Sequence, residues 1–333
     1  MFETSKLEYP TTQSDGLKTR DFTIKAGETG HSLTIVQLTD LHIGICNEED
    51  LANDTLAKTY EVRGWSKRAE VTQNALRGLA YADSVKADQI MITGDALDYL
   101  SQGGLEWLKK NIWERYPNGK VLVSAGNHEL IQRCGWDPVK QEDGSYLDET
   151  VSVEDRTNLL ESNWGNDLYY NSRVLRDKVM VIQMDNGLND RPDVAGSHFG
   201  QLFHPEQVEK LKSDLELAKE KRYVVLLFFH EAIGTGDPTD KVVNATYIPD
   251  SSVHNTQNLY ENVAAGTKND SEASEAIWNL IYENSDNIAA IFAGHVHGDF
   301  YSEVSGRTRK IPQLFLTGSI YESGHALKIT VEY

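Results

Sequence analysis

The chain has 333 residues, 39% of them hydrophobic and 25% charged, which is ordinary for a soluble globular protein with a sizeable core. Its formal charge of −19, from 51 acidic against 32 basic residues, argues against a nucleic-acid polymer as partner, because such binding draws its affinity from phosphates neutralised by Lys and Arg. No stretch reaches the roughly 18 to 20 apolar residues of a membrane span, and the opening MFETSKLEYPTTQSDGLKTR lacks the basic-then-apolar order of a signal peptide, so the expectation is a cytoplasmic protein.

In chain order, short apolar runs alternate with longer amphipathic segments. LTIVQLT (33–39) predicts a strand, KRAEVTQNALRGLAYADSVK (67–86) a helix, QIMIT (89–93) a strand, GLEWLKKNIWERY (104–116) a helix and KVLVSA (120–125) a strand. VMVIQM (179–184) predicts a strand, PEQVEKLKSDLELAKEK (205–221) a helix, YVVLLFF (223–229) a strand, SEASEAIWNLIYEN (271–284) a helix and IAAIFA (288–293) a strand. Apolar, β-branched runs of this length belong to strands buried on both faces, and the alternation indicates an α/β fold. DFYSEVSG, PQLFLTGS and ALKITVEY add three closing strands with no helix between them. Without repeats or a proline-rich linker, residues 1–333 read as one domain. Long connections at about 131–170 and 231–270 read as lids or rims beside a site.

The chemistry sits where the apolar runs stop. Asp40 and His42 follow the first, Asp95 the second, Asn127, His128 and Glu129 the third, His230 the run at 223–229, and His295 and His297 the run at 288–293. Any one of these pairs is also a common turn or cap. Five strand ends delivering Asp, His and Asn together describe a site, since ligands of open α/β sheets bind beyond the carboxyl ends of the strands. Imidazole, carboxylate and amide oxygen suit Mn, Fe, Zn or Co, and the set is too small to fill two coordination spheres, leaving room for water and substrate.

The blocks DLH, GD, GNHE, FFH and GHVH, with HFGQLFHPEQVEKLKSDLELA before the single histidine, resemble the calcineurin-like metallophosphoesterases. That resemblance implies a four-layer αββα sandwich, two mixed β-sheets flanked by helices, with the strand-only tail closing the second sheet. It implies one metal on Asp40, His42, Asp95 and His297 and a second on Asp95, Asn127, His230 and His295, with Asp95 bridging. His128 matches a position that contacts the phosphate or protonates the leaving group. The implied reaction is in-line attack on phosphorus by a hydroxide held between two transition-metal ions. Glu129 is a candidate to orient His128, and Asp98 to hold a ligand histidine in its tautomer.

Residues 94–101 lack the arginine that protein serine/threonine phosphatases of this family carry after Gly-Asp. The metal-bound tyrosine of purple acid phosphatases would fall at Asp98, with Tyr99 one position late. A small phosphodiester or phosphomonoester therefore remains as substrate, and the motif pattern is closest to the class III cyclic-nucleotide phosphodiesterases. Tyr247, His254 and Tyr260 are candidate lining residues. The alternative is an inactive scaffold of the same fold in a protein assembly. Cys46 and Cys134 read as two thiols rather than a disulfide, and the Asn-x-Ser/Thr triplets at Asn53, Asn244 and Asn269 carry no glycosylation argument.

Overall fold

The computed structural model describes residues 2–7, 10–27, 30–63, 68–130, 153–187, 203–233, 246–247, 272–315 and 324–333. Its first sheet holds β1 (Glu3–Thr4), β2 (Thr11–Thr12), β3 (Lys18–Lys25), β4 (Ser32–Leu38), β5 (Gln89–Thr93), β6 (Val121–Ser124) and β14 (His325–Glu332). The strands run β1-β3-β14-β4-β5-β6, with β2 paired to β3. The second sheet runs β10 (Thr246–Tyr247), β12 (Phe300–Val304), β13 (Ile311–Phe315), β11 (Ile288–Ala293), β9 (Val224–Phe228), β8 (Val179–Met184) and β7 (Tyr170–Leu175). Both sheets are mixed. β4, β5 and β6 are mutually parallel, as are β8, β9, β11 and β13, while β14 is antiparallel to β4 and β7 to β8.

Period-two burial decides the layering. In β4, Leu33 and Ile35 join one apolar cluster while Val36 and Leu38 join another; in β9, Val224, Leu226 and Phe228 part from Val225 and Leu227 in the same way. The shared cluster is the seam between the sheets, where Phe228 stacks on Phe292 with ring centroids 4.9 Å apart. The outer face of the first sheet is covered by Val71, Ala75 and Leu79 of α3 (Arg68–Ser84) and by Leu105 and Leu108 of α4 (Gln102–Leu108). Leu211 and Leu215 of α6 (Pro205–Lys221) and Ile277 and Ile281 of α7 (Glu272–Glu283) cover the second. Helix, sheet, sheet, helix is the expected four-layer order.

Two buried glutamines tie the sheets together at the end nearest the site. Gln37 of β4 donates Nε2 to the carbonyl of Ala293, and Gln183 of β8 donates Nε2 to the carbonyl of Ile92 at 2.9 Å. Amide cross-ties inside an apolar seam fix the register of one sheet on the other, because sliding would leave the amides without partners.

Most predicted elements form with boundaries unchanged or shifted by one or two residues. Two differ. The helix expected over 104–116 is α4 followed by a π-helical turn, Lys109–Trp113, where Glu114 N donates to Lys109 O at 2.9 Å. The last of the three closing strands does not complete the second sheet with its two predecessors. β14 crosses to the first and inserts between β3 and β4, where Leu327, Ile329 and Val331 face the seam. In the described part of the 131–170 connection, α5 (Val153–Asn163) and the loop after it place Leu160, Trp164 and Leu168 in the core under the first sheet.

Polar strands β3 and β7 and the short helices α1 (Glu48–Leu51) and α2 (Asp54–Val62) carry too little apolar pattern to stand out in the sequence. Asn53 caps α2 by accepting from Leu56 N at 3.1 Å, whereas Asn244, Asn269 and Cys134 lie outside the described residues. Cys46 Sγ sits 3.7 Å from the Tyr99 hydroxyl. Among the described residues no helix is long and apolar enough to cross a membrane.

Candidate metal centre

The carboxyl ends of β4, β5, β6, β9 and β11 meet at one end of the sandwich and bring Asp40, His42, Asp95, Asn127, His128, His230, His295 and His297 together. Ligand atoms of Asp40, His42 and His297 lie within 4.8 Å of one another, as do those of Asp95, His230 and His295. Asp95 Oδ2 is 3.7 Å from His42 Nε2 and 3.3 Å from His230 Nε2, so one carboxylate lies between the two groups. Asn127 Oδ1 joins the second at 3.0 Å from His230 Nε2. His42, Asp95 and His128 form a third overlapping cluster.

Outer contacts determine which nitrogen each imidazole turns inward. His42 Nδ1 meets Asp98 Oδ1 at 3.1 Å, and His230 Nδ1 meets the Thr93 carbonyl at 2.8 Å. A carboxylate and a carbonyl can only accept, so both Nδ1 atoms carry hydrogen and both neutral rings offer a lone pair at Nε2. The lone pair of His42 faces His297 Nε2 at 3.1 Å, and that of His230 faces His295 Nδ1 at 3.2 Å besides Asp95 and Asn127. His230 Nε2, set among the oxygens of Asp95 and Asn127 in a buried site, needs a proton or a cation among them, and so does each pair of facing imidazole nitrogens. The donor set therefore fits two cations of the kind imidazole and carboxylate prefer.

The electrostatics agree. Burial alone would raise the Asp40 carboxyl, but its hydrogen bond and charge interaction with His297 take it down to about 2. Asp95 lies well below the carboxylate range for the same contest, with His230 prevailing over burial. His230 moves the other way: burial opposes its charge, yet Asp95 raises it well above the imidazole range, so a proton stands where a cation is wanted. Burial and then the charge of His230 push His295 down to about 3.

The loops that hold these groups are strained and tied to one another. Asp40, His42, Asp95, His295 and His297 all have positive φ, between 47° and 76°, a region that costs L-residues on the order of 1 kcal/mol each. Cross-loop bonds hold them there: Asp40 N to Gly94 O at 3.1 Å, His42 N to Asp95 O at 2.8 Å, and Gly294 N to His230 O at 2.8 Å.

The family profile of calcineurin-like phosphoesterases matches residues 33–299, the span that contains every one of these groups. The chain belongs to that family. No curated protein matches it by sequence. Among solved structures, a dimetal phosphatase from Danio rerio aligns at 14% identity over 87% of this chain and 88% of its own, with a TM-score of 0.44. A purple acid phosphatase from yellow lupin (Lupinus luteus) seeds aligns at 11% identity over 93% of this chain and 49% of its own, with a TM-score of 0.44. A calcineurin-like phosphoesterase from Bacillus subtilis aligns at 13% identity over 88% and 83%, with a TM-score of 0.37.

Within this phosphoesterase the two proposed supporting carboxylates divide their work differently from expectation. Asp98 does hold His42, and its backbone carbonyl receives His128 Nδ1 at 2.8 Å. Glu129 leaves His128 alone and accepts Leu97 N at 3.0 Å and Gly126 N at 2.6 Å, bracing the loops of Asp95 and Asn127. Burial and the neighbouring Asp95 raise its carboxyl to about 8. A sixth strand end contributes as well. After β8, Asn186 exchanges hydrogen bonds with the backbone of Glu231, beside His230, and Asp185 Oδ2 meets His204 Nε2 at 3.0 Å. The signal was the same apolar run followed by Asp-Asn-Gly. Arg20, on a strand the sequence analysis missed, donates Nε to Asp299 at 2.6 Å and anchors the loop beyond His297.

Gly94 combines two obstacles to any side chain. Its φ is +84°, and a Cβ there would lie 2.3 Å from His230 Nδ1. Gly94→Ala is expected to cost about 2 kcal/mol or more through left-handed strain and displacement of the ring, lowering the melting temperature and the metal content together. Calorimetry and metal analysis check this; a variant with wild-type melting and full metal content would refute it.

Proposed function

We propose that this phosphoesterase hydrolyses a small phosphodiester, in preference to a phosphomonoester, with two transition cations (Mn, Fe or Zn). The observation that carries the reading is the convergence of ring nitrogens from His42, His230, His295 and His297 on the oxygens of Asp40, Asp95 and Asn127. Asp40, His42, Asp95 and His297 would hold one cation; Asp95, Asn127, His230 and His295 would hold the other. Bound there, such a pair supplies a nucleophile from water at neutral pH and neutralises the phosphoryl oxygens for in-line displacement.

The chain's own residues supply positioning and a proton route. His128 N donates to Asp95 Oδ1 at 3.0 Å, and its ring is fixed through Nδ1 on the Asp98 carbonyl, leaving Nε2 to meet substrate. Burial holds this imidazole below its ordinary range, so its capacity to donate a proton to the departing oxygen grows as the pH falls. Tyr99 is buried with its hydroxyl against Cys46, and Asp98 faces His42, so residues 95–99 supply neither a phosphate-binding arginine nor the tyrosine ligand that mark two monoesterase branches. Tyr247 is a candidate lining residue, since β10 pairs it with Phe300, three positions beyond His297. His254 and Tyr260 lie outside the described residues. The −19 charge favours a small substrate over a nucleic-acid polymer.

The test is hydrolysis of bis-p-nitrophenyl phosphate beside p-nitrophenyl phosphate by chelator-stripped protein, before and after Mn is restored. The expected result is Mn-dependent turnover that favours the diester. Monoester preference would overturn the substrate assignment, and protein that neither binds metal nor turns over would be the inactive scaffold.

A further inference from the structure

Arg63 ends α2 and lies outside every strand-end block. It donates Nε to Asp98 Oδ2 at 2.8 Å and Nη2 to Asp98 Oδ1, a bidentate fork on a carboxylate that also meets the imidazole of His42 and whose residue's carbonyl receives that of His128. The Arg63 side chain is 11% exposed and that of Asp98 1%, so water screens the pair weakly. A carboxylate gripped at both oxygens has one orientation, and that orientation presents Oδ1 to His42 Nδ1.

The helical pair before Arg63 is built to hold it in place. Asn47 and Asp50 close a capping box on α1, and Asn53 caps α2. Buried Asp50 also accepts Gln102 N at 2.9 Å and Gly103 N at 2.8 Å, which fastens α1 to the start of α4, four residues beyond Asp98. The arginine and its carboxylate are thereby referred to one frame.

We propose that Arg63 is a positioning residue for one metal only: acting through Asp98, it orients His42 and so tunes the cation of the Asp40, His42 and His297 cluster, leaving the His230, His295 and Asn127 cluster untouched. This rests on the two-metal reading above. The second cluster is held from elsewhere: His230 Nδ1 rests on the Thr93 carbonyl at 2.8 Å, and Asn127 and His295 meet His230 Nε2.

The experiment is stepwise Mn titration of the stripped full-length protein by calorimetry, in wild type, Arg63→Met and Arg63→Lys, with the first-cluster step identified as the one that His42→Ala abolishes. Loss of a group that orients a ligand typically costs 10- to 100-fold in metal affinity, so Arg63→Met is expected to weaken that step by about this factor and the other step by less than about twofold. Arg63→Lys, which keeps the charge but not the fork, is expected to recover part of the loss. Unchanged steps in Arg63→Met, or both steps weakened alike in Arg63→Lys at wild-type melting temperature, would overturn the assignment while the two-metal reading stood. A wild type that binds no Mn would overturn both. Arg63→Lys also serves should Arg63→Met fail to fold.

Discussion

Asp95→Asn is expected to reduce turnover of either ester by about 10³-fold or more, because a shared ligand that loses its charge takes with it several kcal/mol of transition-state stabilisation. Asp95 is 1% exposed, sits between His42 and His230, and is the main influence drawing a proton onto His230. Its Oδ1 also accepts the His128 amide, so the substitution reaches the proton route too. The asparagine is nearly isosteric, and folding should survive. Steady-state rates with metal analysis on the same sample decide the matter: a variant that keeps two metals and turns over within tenfold of wild type would remove Asp95 from its proposed role as shared ligand.

His128→Gln is the second large effect, about 10²- to 10⁴-fold in kcat, the range for loss of a positioned acid or base. It should differ from the Asp95 defect in kind. Metal content stays at the wild-type value, since His128 is not among the proposed ligands, and KM changes little if the ring acts mainly in the transition state. The loss should be greatest for esters with poor leaving groups and least for p-nitrophenolate, which departs without a proton. A loss independent of the leaving group would point instead to phosphate binding by His128, and loss of metal would make it a ligand within the His42, Asp95 and His128 cluster.

How much of this centre was legible in the sequence depended on how each residue is held. Asp40, Asp95, Asn127, His230 and His295 follow buried strands within three positions, so the strand end aims the side chain and linear order suffices. Asp98 was legible as a candidate because it lies three residues beyond Asp95 on the same loop. Glu129 was legible as a polar residue near the site but not in its task, which is to accept amides from two different loops. Arg63 and Arg20 carried no signal, since charged residues on a helix end and on a polar strand are everywhere expected at the surface.

The layering followed the same division. Apolar runs of the right length and alternation told that strands and helices take turns, and the five strand-end blocks told which chemistry the fold carries. What the sequence by itself determined was local: the strands, the helices, and the residue types at the mouths of the loops. Only the tertiary structure decided that β14 leaves its neighbours to sit between β3 and β4, that Gln37 and Gln183 tie the sheets, and that Arg63 reaches Asp98 from another helix. The physical reason is that apolar period depends on neighbours along the chain, whereas a buried polar group is stable only with a partner, and that partner can come from any part of the sequence.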